Sequence, residues 1–179
     1  MLVIVGGFRG SGKRLIAREF ARTTGFHGLS VDEYKLRRYT PGLVRQVSAP
    51  RMPMSTDEEY LQFFRRVTEK FPVLAKMYPD TVMAAPLHRA LPREFLFEAA
   101  ARSFDDVRVV ILESSEQEAF ERLRGKVSED SMRRFKARWR QEADTFQPFE
   151  TDVSTLRAGT DFADTTRRLC ELLGVRSQC

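Results

Sequence analysis

Cysteine is nearly absent from this 179-residue chain: Cys170 sits in a helical pattern and Cys179 is the last residue. That excludes a disulfide framework and a zinc cluster, and makes a reduced cytoplasmic setting the expectation. Long hydrophobic runs are missing too. None approaches the roughly 18 residues that a membrane span needs, so no membrane partner is expected. Even the apolar start is short, because Met1 to Val5 meets Gly6 and Gly7 where a signal peptide would continue. There is no internal repeat and no low-complexity segment.

What remains is an ordinary globular composition, 42% hydrophobic and 31% charged, enough for a real core under a soluble surface. The length fits one domain over 1–179. Net charge is +5, with a pI near 9.5 and arginine supplying most of the cations. Such a balance suits phosphate-rich ligands, a nucleotide first and a nucleic acid second.

Strand-length apolar runs alternate with amphipathic segments, the pattern of a parallel sheet with crossover helices. Leu2-Val3-Ile4-Val5 reads as a strand buried on both faces. Leu15, Ile16, Phe20 and Ala21 mark a helix that Gly25 ends. His27 to Val31, Thr81 to Ala85, Val107 to Leu112 and Val153 to Leu156 read as four further strands. Tyr60, Phe64, Val67, Phe71 and Leu74 share one helix face, which Pro72 breaks or restarts. Pro92 suits the first turn of a helix burying Phe95, Leu96, Ala99 and Ala100. Ser115 with Glu118 is a capping-box signal. Ser128 caps a long helix whose inward face carries Met132, Phe135, Trp139, Ala143 and Phe146. Phe162, Thr166, Leu169 and Leu173 line the closing helix. Pro41, Gly42, Pro50 and Pro53 mark the segment 40–56 as a mobile substrate loop.

Between the first strand and the first helix, Gly7-Phe8-Arg9-Gly10-Ser11-Gly12-Lys13 matches the G-x-x-x-x-G-K phosphate loop. Glycines let successive backbone N–H groups point at phosphate oxygens, and the helix adds its positive end. Lys13 reaches the β- and γ-phosphates. The next residue should be Ser or Thr, whose hydroxyl binds Mg²⁺. Here it is Arg14, which no cation accepts as a ligand. Mg²⁺ is then expected on phosphates, waters and a carboxylate, with no metal ligand assigned in the chain, or the site binds nucleotide with little catalysis. Arg14 also belongs to an i, i+4, i+8 stripe with Arg18 and Arg22. Asp32 follows the second strand, at the edge facing the ligand crevice of open α/β sheets. It is the candidate base for a hydroxyl attacking the γ-phosphate, and also a preferred helix cap.

Gly10-Ser11-Gly12-Lys13, Ala17-Arg18-Glu19-Phe20, Gly25-Phe26 and Asp32-Glu33-Tyr34 together resemble the kinase domain of phage-type polynucleotide kinases. The gluconate and shikimate kinases are also similar. The resemblance covers the first forty residues and, beyond them, element order. It implies a three-layer α/β P-loop NTPase fold with a five-stranded parallel sheet and a short helical lid at about 122–130. It implies ATP and Mg²⁺ as donor and a hydroxyl as acceptor. Asp32 matches the general base, and Lys35 matches a basic contact to the acceptor; Arg38 and His88 complete the candidate acceptor set. Arg122 and Arg124, in Glu121-Arg122-Leu123-Arg124-Gly125-Lys126, match lid arginines that close over the phosphates. The chain departs from these kinases at the third strand, where Ala84-Ala85-Pro86 replaces a frequent Asp or Asn. His88 follows, and a lone loop histidine reads first as a surface residue.

The expected activity is therefore ATP-dependent phosphotransfer to a hydroxyl. A DNA hydroxyl, at a 5′ end or on a hydroxymethylated base, is favoured over a nucleoside or small metabolite. Arg133, Arg134, Lys136, Arg138 and Arg140 give one helix a basic face that could track a DNA strand, or serve only as a solvated surface. The alternative is a nucleotide-binding module without kinase chemistry.

Overall fold

A computed structural model describes residues 1–30, 56–125, 127–150, 153–159 and 161–176. Asp32, Lys35, Arg38 and the loop expected at 40–56, except Thr56, lie outside the described residues. Lys126 and Cys179 lie outside them as well.

The chain runs through β1 (Leu2–Gly7), α1 (Lys13–Thr24), β2 (His27–Ser30), α2 (Asp57–Thr68) and α3 (Phe71–Met77). It continues through β3 (Thr81–Ala84), α4 (Ala90–Ala101), β4 (Val107–Glu113) and α5 (Glu116–Glu121). The last elements are α6 (Glu129–Asp144), β5 (Ser154–Arg157) and α7 (Phe162–Leu173). The strands form one five-stranded sheet in the order β2-β3-β1-β4-β5, and every pairing is parallel. This is the expected α/β architecture.

β1 is apolar without interruption because it is central and covered on both faces. Its alternate residues divide between two cores, as the strand's two-residue period requires. Leu2 and Ile4 join Phe64, Phe71, Met83 and Leu96 under α2, α3 and α4. Val3 and Val5 join Ile16, Phe20, Val110 and Leu169 under α1 and α7. β5 is an edge strand, and Leu156 is its one buried residue.

Helix ends follow local chemistry. Thr56 caps α2 and Glu59 reaches back to it, a complete capping box that Ser115 and Glu118 repeat at α5. The stripe from Tyr60 to Leu74 is two helices, restarted at α3 with Pro72 in its first turn, where a missing N–H costs nothing. The aromatic stripe of α6 differs from expectation. No α6 residue is fully buried, and Phe135 and Trp139 pack on α5 and the loop after β1 instead of entering a core. Among the described residues, no helix is long and apolar enough to cross a membrane.

Phe64 is fully buried in the first core. Phe64→Ala should cost about 3–5 kcal/mol of unfolding free energy in a urea titration; a loss below about 1 kcal/mol would contradict this packing.

Candidate functional site

The site begins where β1 runs out of side chains. Gly10 and Gly12 hold φ of 83° and 88°, a region that side chains rarely enter. Space forbids them as well: a Cβ on Gly10 would stand 2.7 Å from the Phe135 ring, and one on Gly12 2.9 Å from the Phe162 ring. Gly12 is the N-cap of α1, with no capping side chain and no acid in the first turn. By contrast Thr56, Ser115, Ser128 and Asp161 cap α2, α5, α6 and α7. An uncapped helix start behind a left-handed glycine turn leaves backbone donors for an anion. Ser11 adds a buried hydroxyl with no hydrogen-bond partner among the described residues. Lys13 Nζ donates to the Phe8 carbonyl at 3.3 Å, so its ammonium lies over the loop. These features fit a polyphosphate.

Two charged groups fix the loop from outside. Arg122 donates through Nη1 to the Gly10 carbonyl (3.0 Å) and through Nη2 to the Ala158 carbonyl (2.6 Å), tying the loop to the turn after β5. Glu142 of α6 accepts the backbone N–H of Arg9 at 2.9 Å and pairs with its guanidinium at 3.0 Å. The aromatic stripe follows: Phe8 lies 5.7 Å from the Trp139 ring and 5.4 Å from the Phe146 ring. Arg124 is exposed on an open hollow between α5 and α6, lined also by Lys136 and Arg140 and by no residue of the loop. Arg14 is half-buried in the first turn of α1.

His88 is a correction. It is 8% exposed, with its ring edge-on to Tyr60, and it lies inside the site. Burial pushes its pKa down to about 4; Glu142 opposes the shift, while Arg89, Lys13 and Arg9 add to it. The imidazole is therefore neutral at pH 7. Next to it, Arg93 is 2% exposed and donates to the carbonyls of Leu87 (3.1 Å), Gln147 (2.8 Å) and Pro148 (2.7 Å). Its guanidinium also lies 4.0 Å from the Phe149 ring centre. Arg93 thus joins the β3–α4 loop to the segment after α6.

Between these two segments, Phe8 and the end of β4 lies a cavity of about 530 Å³. Ala84 and Ala85, which stand where the resemblance leads one to expect an Asp or Asn, are buried and apolar. Among the described residues, no group of three or more His, Cys, Asp or Glu could hold a metal ion. The loop accordingly fits a polyphosphate, and Arg14 puts no hydroxyl directly after Lys13.

No protein-family model and no curated protein sequence matches the chain. Solved structures do. A sugar kinase from Janibacter sp. HTCC2649, unliganded, superposes with a TM-score of 0.70 at 19% identity, covering 97% of this chain and 94% of that one. The chain has the P-loop kinase fold. A gluconokinase from Sinorhizobium meliloti 1021 gives 0.63 at 20% identity over 96% and 94%. The Mycobacterium tuberculosis APS kinase, in complex with AMPPNP and APS, gives 0.64 at 17% over 97% and 96%.

Glu142 and Arg93 are the site residues that the sequence reading missed. Both are charges on an apolar helix stripe: Glu142 shares a face with Phe135, Trp139 and Phe146, and Arg93 with Leu96 and Ala100. That placement was the available signal, since such charges are kept only with partners.

The buried neutral His88 makes stability depend on pH. Its folded pKa lies below the unfolded value of 6.5, so its contribution is complete above pH 6.5 and lost as pH falls towards 4. Its share is about 3 kcal/mol. Denaturation of wild type and His88→Gln between pH 7 and 4 should show that excess loss in the wild type only. Parallel profiles would contradict it.

Proposed function

We propose that this chain is an ATP-dependent phosphotransferase that moves the γ-phosphate to a hydroxyl acceptor. One observation carries the reading: a left-handed glycine turn with Lys13 above it, at the head of an uncapped helix on a P-loop kinase fold. The acceptor oxygen attacks the γ-phosphorus, its proton goes to the Asp32 carboxylate, and the bond to the β-γ bridging oxygen breaks to release ADP. Lys13 holds the β- and γ-phosphates. Mg²⁺ bound with ATP would supply neutralisation of phosphate charge, and Arg14 would give it no ligand after Lys13.

Arg122 works in this account by holding Gly10 in place, its hydrogen bonds to Gly10 and Ala158 supporting a positioning role. Arg124 joins it in a lid at about 122–130. Lys35, Arg38 and His88 contact the acceptor. The chain acts as one cytoplasmic domain with a substrate loop at 40–56.

As the finer reading, we favour a DNA hydroxyl, at a 5′ end or on a hydroxymethylated base. Its support is the basic balance and the exposed Arg133, Arg134 and Lys136 on α6. Part of that charge is already balanced, because Arg133 pairs with Asp130 and Arg140 with Glu116. A nucleotide-binding module without transfer is the second reading, favoured specifically by Arg14 and the buried Ala84–Ala85 pair.

A screen with γ-labelled ATP over nucleosides, sugar acids and oligonucleotides tests the proposal. Label should pass to a hydroxyl in wild type and fall at least 100-fold in Lys13→Ala, with the circular dichroism spectrum unchanged. Equal transfer by both proteins would refute the assignment. For a DNA acceptor, KM should rise steeply between about 50 and 200 mM salt; a salt-independent KM would remove DNA from the account.

A further inference from the structure

The cavity beside the phosphate loop has a composition of its own. Phe8, Leu87, Ile111, Phe146 and Phe149 make its walls, so most of its surface is apolar and much of it aromatic. Its polar atoms are few. His88 contributes a neutral imidazole, and Ser114 a hydroxyl that is shut off from solvent and has no partner among the described residues. The one cation in the lining is Arg157, which is spent on Glu118 at 3.1 Å. Glu113 leaves a carboxylate at the mouth. Among the described residues, a carboxylate-bearing ligand would meet only one cation, Arg157, already paired with Glu118, and would face Glu113. An uncharged flat ring would find aromatic surface, an imidazole and a hydroxyl that needs a partner.

Phosphate chemistry is adjacent. Phe8 forms the cavity wall, and its own carbonyl accepts from Lys13 Nζ at 3.3 Å. The roof is fixed, because Arg93 clamps Phe149 from outside the cavity. At about 530 Å³ the space suits a ligand the size of a nucleoside.

We propose that this cavity takes the uncharged heteroaromatic base of a nucleoside-type acceptor, packed on Phe8, Phe146 and Phe149 with its polar edge on Ser114 and His88. The word acceptor rests on the phosphotransfer reading above; the base site itself does not. Ser114 lines the cavity, and a change of its χ1 rotamer is the step by which its hydroxyl would reach the ligand edge. A base from a free nucleoside and a base turned out of a DNA strand present the same chemistry to these walls.

Thymidine, oligothymidylate and gluconate, titrated separately by calorimetry into the full chain, test it. Trp139, the one tryptophan, lies 5.7 Å from Phe8 and reports the same event by fluorescence. Thymidine should bind at least tenfold tighter than gluconate. Phe146→Ala should weaken thymidine about tenfold, and Ser114→Ala about three- to tenfold. Tighter, salt-sensitive binding of oligothymidylate assigns the base to DNA, and equal binding assigns it to a free nucleoside; either supports the site. The proposal is overturned if neither thymidine nor oligothymidylate binds, if gluconate binds as tightly, or if both variants bind thymidine like wild type. ATP titrated into the same sample reports on phosphotransfer separately, so absent ATP binding would count against that reading and not against the base site.

Discussion

A phosphate loop must keep a row of backbone N–H groups pointing inward without letting them pair with one another, and unsupported backbone does not hold such a shape. Here the support is charge that other elements bring to the loop. The Arg122 guanidinium holds the Gly10 carbonyl, and the Glu142 carboxylate holds the Arg9 N–H. Each crosses from a different element, Arg122 from the end of α5 and Glu142 from α6. The loop is therefore set by long-range contacts as much as by its glycines. The same contacts bring α6 down, so that Trp139 packs on Phe8 while Phe8 and Phe146 close one side of the cavity.

The two charges differ in what a nucleotide does to them. Arg122 grips carbonyl oxygens, which face away from an anion, so its bonds are compatible with a bound triphosphate. Glu142 instead occupies a loop N–H with a carboxylate, the kind of group a phosphate would replace. Binding of a polyphosphate beside Glu142 places like charges close together. The Arg9–Glu142 pair is thus the contact in the loop most exposed to change on binding. Its partner helix α6 has no fully buried residue to anchor it in a core.

Much of the fold was legible in the sequence because its signals are local. The β1 run, the glycine stops and the Ser115 and Ser128 caps each act within a few residues. The phosphate loop was legible for the same reason, since its spacing reflects a turn that only glycine allows at Gly10 and Gly12. The inner site was not. His88 read as a surface residue because nothing local reveals that Tyr60 and the segment after α6 cover it. Glu142 and Arg93 find their partners far away in sequence, at Arg9 and at Gln147 to Phe149. The aromatic residues of α6 carried the period of a core helix, yet their partners are the short helix α5 and a loop.

The central claim is that the Gly7 to Lys13 loop is a working triphosphate site despite Arg14. Calorimetric titration of the wild-type chain with ATP, with and without Mg²⁺, tests it most directly. Binding of one ATP per chain should be saturable, tightened by Mg²⁺ and weakened at least tenfold in Gly12→Val. Absence of ATP binding under both conditions, or Gly12→Val binding like wild type, would contradict it.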